Sequence, residues 1–256
     1  MDIQKAGIWK RISAWLFDKI LLAIAAVGVA ALLSLAFDYD GHLNRYHEIR
    51  GQVEETYGIS FEITEEEYKS YDAEKKARYD AAYEALNQNT EAVKEYSLLV
   101  NFALLIVTFS LLTGYLILEF TVPLFLKHGR TFGKKIFGLA VMKQNLVKVS
   151  GPVLFVRTVL GKYAVETMIP VYIVLMTLFG RGNILLVILL FLVPIVNLIM
   201  VIATKNNCFL HDLLAMTVVC DYQSQRIFDT PEEVTAFITA EHEAMVAKSR
   251  EENVFQ

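Results

Sequence analysis

Two ionisable residues, Arg11 and Asp18, stand at the mouth of an apolar run. They fall within Trp9–Lys19, directly ahead of Ile20–Phe37. A seven-residue separation puts them nearly on one face of a helix, about 10 Å apart along its axis. A charged side chain at bilayer depth is costly and turns inward to a partner, so an acid here is a functional-site candidate. The plain alternative leaves Asp18 at head-group level, solvated beside Lys19. Similar candidates follow: Glu119 late in a second apolar run, Arg157 and Lys162 ahead of a third, Glu166 inside it, and Asp212 after a fourth. Lys162 and Glu166 are four apart and can pair along one helix. If the helices close into a bundle, Arg11, Asp18, Glu119, Arg157 and Asp212 form one inward-facing network, in which every charge needs a partner. Such a network has two uses. It staples the spans together, or it makes Asp18 or Glu119 a carboxylate that exchanges a proton for a cation, because desolvation disfavours its charge.

The elements that must carry these residues are long and apolar. Of 256 residues, 55% are hydrophobic and mean hydropathy is +0.41, with the apolar residues concentrated in runs. Four segments approach the ~20 residues that cross a bilayer: Ile20–Phe37, Leu98–Leu118 with an extension toward Leu126, Tyr163–Phe179, and Ile184–Ala203. Gly180-Arg181-Gly182-Asn183 makes the last two an antiparallel hairpin. The first could be misread as a signal peptide, but its apolar run is longer than a usual h-region and Asp18 is atypical at its start.

Net charge is only −4, yet the charges are segregated. Lys and Arg crowd the N-terminus and the connection from Lys127 to Lys162, so both are expected on the cytoplasmic side, with both termini there. The segment between the first two spans then faces outward and is acidic. Thr64 with Glu67 is a capping-box pattern, and Tyr68, Tyr71, Tyr79, Tyr83 and Leu86 read as one apolar-aromatic stripe on a helix. A weaker helix covers roughly residues 42–57, and another starts near Thr90. This insert is a helical cap, or a docking surface that uses its tyrosines. Cys208 and Cys220 fall on the reducing side, which argues against a disulfide.

In the basic connection, Phe132, Ile136, Phe137 and Leu139 suit the membrane interface, while Arg130, Lys134 and Lys135 suit contact with anionic head groups. The glycine-lysine pair is not a phosphate loop, since Gly-x-x-x-x-Gly-Lys-Ser/Thr is missing. Ala140–Met142, Val147–Val149 and Thr217–Cys220 read as strands of a small ribbon. Thr230-Pro231-Glu232-Glu233 starts a tail helix, whose Val234, Phe237, Ile238 and Met245 share a broad face for packing or for a partner. No Asp-x-Asp-x-Asp-Gly calcium loop, His-Glu-x-x-His or Gly-x-Ser-x-Gly occurs, and His42, His47, His128 and His211 do not pair in sequence with a nucleophile or a metal-binding partner at a motif spacing. The expectation is a non-enzyme without cofactor or metal.

Three stretches together resemble the RDD family of multi-span membrane proteins. These are Arg11-Ile12-Ser13-Ala14 leading to Asp18, Gly129-Arg130-Thr131-Phe132-Gly133-Lys134 with the following Gly138-Leu139-Ala140-Val141, and Leu210-His211-Asp212-Leu213-Leu214-Ala215-Met216-Thr217. The resemblance covers about residues 9–37 and 98–219, and makes Arg11, Asp18 and Asp212 the lettered residues. The long insert and the sparse positive charge ahead of His211 depart from the pattern. The resemblance implies a bias toward cation/proton antiport or other transport.

The sequence therefore predicts an all-α polytopic membrane protein with four transmembrane helices, an extracytoplasmic helical insert and a small cytoplasmic strand ribbon. Its segments are 1–37 (N-terminus and first span), 38–96 (insert), 97–126 (second span), 127–162 (basic connection), 163–203 (third and fourth spans) and 204–256 (strand and tail helix). The expected place is the plasma membrane of a bacterium. The expected role is proton- or cation-coupled transport through Arg11, Asp18, Glu119, Arg157, Glu166 and Asp212. The alternative is a non-catalytic scaffold using the insert and tail helix. Expected partners are the bilayer, a monovalent cation or proton, and a second copy or another membrane protein, but not nucleic acid.

Overall fold

The structure, a computed structural model, describes residues 3–254, and of their side chains all but those of Arg181 and residues 247–254. It is mostly helical with one small antiparallel sheet, and four helices are long and apolar enough to cross a membrane. These are α1 (Ile8–Ala36), α5 (Thr90–Phe125), α7 (Gly151–Gly180) and α8 (Ile184–Ala203). Between α1 and α5 lie α2 (Tyr39–Tyr57), α3 (Glu65–Ser70) and α4 (Ala73–Gln88). Between α5 and α7 come α6 (Phe132–Ile136) and β1 (Leu139–Lys143). After α8 come α9 (Leu210–Leu214), β2 (Thr217–Asp221) and α10 (Pro231–Val254). The third span starts at Gly151 rather than Tyr163, so Arg157 and Lys162, expected in a basic connection, lie inside a helix.

The chain forms two compact units, residues 28–110 and the remainder. In the larger unit, α1 buries Arg11, Ala14, Asp18, Leu22 and Ala26, a stripe at helical spacing. α8 has no buried residue, as suits a helix whose side chains meet lipid. Its start is capped by Asn183, whose Oδ1 accepts the Leu186 N–H at 3.0 Å.

β1 and β2 pair with Val141 opposite Val219. One face of the ribbon, Ala140, Met142, Val218 and Cys220, packs with Phe228 and with Val234 and Phe237 of α10; the other, Leu139, Val141 and Val219, packs on Ala6 and Ala14. Leu139, expected at the membrane interface, is therefore core at 1% exposure. Val147–Val149 contributes isolated bridges to Met142 and Phe228 rather than a strand. Only the first two turns of the expected α10 face are covered, because Ile238 and Met245 stay exposed. Cys208 and Cys220 are free and buried.

In the smaller unit, α3 is closed by the expected capping box, with the Thr64 N–H donating to Glu67 Oε2 at 2.7 Å. The tyrosine stripe is not one helix. The chain breaks at Tyr71, and Asp72 caps α4 by accepting the Lys75 N–H at 2.8 Å. Tyr68 and Tyr79 meet across that break with ring centroids 5.1 Å apart, while Tyr83 is exposed. His42 and Glu95 lie 2.5 Å apart and Phe37 stacks on Phe102, which brings the two ends of the insert side by side.

Candidate functional site

A cavity of about 440 Å³ in the larger unit collects the charged residues of α1, α5, α6, α7 and α9. Four carboxylates (Asp18, Glu119, Glu166, Asp212) and five cationic side chains (Arg11, Lys19, Lys134, Arg157, Lys162) line it. Except for Lys19 and Glu166, each of these is less than a tenth exposed.

Asp18 sits opposite the turn that begins α6. Its carboxylate accepts the Thr131 hydroxyl at 2.5 Å and the Gly133 N–H at 2.8 Å, and Lys134 Nζ stands 3.6 Å away. Gly133 is required because a Cβ there would strike the Ala14 carbonyl and lie 2.9 Å from Asp18 Oδ1. Thr131 also caps α6, accepting the Lys134 N–H at 3.3 Å. Lys134, expected at head groups, is instead turned inward at 8% exposure, with Nζ donating to Thr131 at 3.1 Å. Burial, and the charge of Lys162 nearby, lower its ammonium to about 8 against the opposing pull of Glu119 and Asp18. Lys135 is exposed, whereas Arg130 lies over the Tyr222 ring at 4.2 Å and donates to the Leu126 carbonyl at 3.2 Å.

Asp212 is wholly buried. It accepts from Arg157 Nη2 at 2.6 Å and Nε at 3.1 Å, from the Thr217 hydroxyl at 3.1 Å, and from the Phe209 N–H at 3.3 Å. Burial opposes its ionisation, but Arg157 and then His211 override that and hold the carboxyl below its ordinary range. Arg11 reaches the same acid only at 3.9 Å; its shorter contact is donation to the Asn207 carbonyl at 2.8 Å, and it also lies over the Phe209 ring. Asn197 of α8 ties α9 in place by accepting the Leu210 N–H at 2.9 Å.

α7 explains how its three charges share one side. From Val156 to Met168 it is wound as a π-helix, whose i→i+5 bonds make a wider turn than that of an α-helix. On α geometry Arg157 and Glu166 would lie about 180° apart; here both line the cavity with Lys162. The expected pairing of Lys162 with Glu166 is replaced. Lys162 bonds Glu119 of α5, and Glu166 accepts from His211, with Nδ1 at 2.9 Å and the backbone N–H at 3.1 Å. Pro123 offers no N–H to the Glu119 carbonyl four residues back, and the Thr158 hydroxyl donates to that oxygen at 3.0 Å. Gly161 lets α9 approach, since a Cβ there would lie 2.9 Å from the His211 Cα.

The residues of the expected inward-facing network line one cavity as separate clusters around Asp18, Glu119 and Asp212. Arg11 and Asp18 share a face but not a bond. Lys162 is a sequence candidate that finds a different partner and Lys134 is expected at head groups, whereas Thr131, Gly133 and His211 carry no expected place in the charge network. The motif stretches containing Thr131, Gly133 and His211 were visible, but nothing in local spacing pointed across to Asp18 or Glu166.

A family model described as RDD family matches residues 5–216. No curated protein and no solved structure matches the chain.

Proposed function

The chain belongs to the RDD family and is a multi-pass membrane protein, and from that premise we propose that it couples transport to protons or monovalent cations through the charged cavity. The observation that carries this reading is the gathering of four carboxylates and five cations around one cavity, between helices otherwise fit for lipid. Charges used only as a staple need no void between them. The proposed orientation has the ribbon, the cavity and both termini on the cytoplasmic side of a bacterial plasma membrane, following the Lys and Arg of the connecting segments. The role is non-catalytic and draws on a second copy, because four helices alone enclose a narrow path.

The test is sodium- or potassium-driven proton flux in proteoliposomes. Asp18→Asn and Glu119→Gln should each cut the flux at least tenfold; flux unchanged by both rejects the site. A scaffold role is the second reading, favoured by the exposed Tyr83 of α4 and the exposed Ile238 and Met245 of α10. It predicts no flux at all and a stoichiometric membrane partner that is lost when residues 42–94 are removed.

A further inference from the structure

We propose that the cavity takes the head group of an anionic amphiphile, a phosphate or carboxylate carried on an acyl chain, which enters sideways from the membrane. This names a substrate class for the transport site and rests on that reading.

The charge balance points to an anion. Three of the lining carboxylates are already engaged by basic groups: Asp212 by Arg157, Glu119 by Lys162, and Glu166 by His211. The fourth, Asp18, is held by a hydroxyl and a backbone N–H. Three cations make no hydrogen bond to a carboxylate, although Lys134 stands 3.6 Å from Asp18 and Arg11 3.9 Å from Asp212. Arg11 donates to the Asn207 carbonyl at 2.8 Å, Lys19 to the Tyr115 hydroxyl at 2.5 Å, and Lys134 to the Thr131 hydroxyl at 3.1 Å. With His211 neutral the lining carries one more positive than negative charge. An anion would complete that balance.

The other half of the lining is apolar. Ile8, Ile12 and Trp15 line the cavity and are 49%, 44% and 56% exposed, so the mouth opens between side chains that suit lipid. Val193 and Pro194 of α8, also part of the lining, continue that surface. A tryptophan at such a boundary has one end fit for acyl chain and one for polar groups. The volume of about 440 Å³ lies within the range of organic-ligand sites and far exceeds one monovalent ion. A head group set inside with its chain leaving past Trp15 uses both halves.

The chain has two tryptophans, so Trp9→Phe leaves Trp15 as a reporter at the mouth. The full chain is placed in phosphatidylcholine nanodiscs containing phosphatidic acid with brominated acyl chains, or phosphatidylcholine brominated likewise. Quenching by the phosphatidic acid should reach half its limit at about tenfold lower mole fraction, the size of one charge-assisted contact. Lys19→Gln with Lys134→Gln should abolish the preference and Lys134→Arg should keep it. If the glutamine variants do not fold, unbrominated phosphatidic acid must relieve the quenching of the Trp9→Phe chain. Equal quenching by the two lipids overturns the proposal, as does displacement by millimolar inorganic phosphate, which would mark a site for free anions. Proton flux without lipid preference overturns this inference alone, whereas lipid preference without flux overturns the transport reading and leaves the head-group site.

Discussion

Asp212 gathers two bonds from one guanidinium while wholly buried, so its removal leaves Arg157 charged and unpaired. Asp212→Asn should therefore cost about 3–5 kcal/mol, read as a large fall in the thermal unfolding midpoint in detergent. Lys134 makes a different prediction. Its folded value of about 8 lies below the ordinary 10.5, so above 8 the unfolded chain binds more protons than the folded one. Stability from this group is complete above 10.5 and is lost as pH falls through about 8. The unfolding midpoint of the wild-type chain minus that of Lys134→Met should thus rise between pH 8 and pH 10; a flat difference would show that Lys134 is not desolvated. That Arg11 and Asp18 share a face was legible from their spacing, and the structure turns that face inward. That Asp18 takes a hydroxyl and an amide rather than Arg11 was not, because those donors lie more than 110 residues away.

Between elements, close approach sets the geometry. A Cβ at Gly161 would press into His211 of α9, and Gly161→Ala should cost about 1–3 kcal/mol through that overlap. Gly28 sits within α1 with nothing within 4 Å of where its Cβ would be, so Gly28→Ala should gain about 0.5–1 kcal/mol. Opposite shifts in the unfolding midpoint are the expected reading; equal shifts would sink the packing account. Run length placed four spans because apolar residues must meet lipid along ~20 residues. It missed the start of α7, since Arg157 and Lys162 interrupt the apolar run while remaining helical. The i,i+4 spacing also pairs Lys162 with Glu166, whereas in the π-wound stretch Lys162 bonds Glu119 and Glu166 meets His211.

For the molecule as a whole, orientation is open to a direct measurement. Cys208 and Cys220 are 2% and 0% exposed, so they leave a low labelling background. In intact cells a membrane-impermeant maleimide should label Tyr83→Cys of α4, while Met245→Cys of α10 should react only after permeabilisation. Reversed labelling would invert the proposed orientation and with it the side on which the cavity lies. Composition and run length determined by themselves that this chain carries four helices long and apolar enough to cross a membrane, with an acidic helical insert, because burying apolar length in lipid needs no knowledge of neighbours. Only the tertiary structure decided which charge meets which, that Lys134 faces inward, and that the pairs enclose a cavity. Those outcomes depend on segments brought together across the whole chain and on glycines admitting close contact, and local sequence spacing encodes neither.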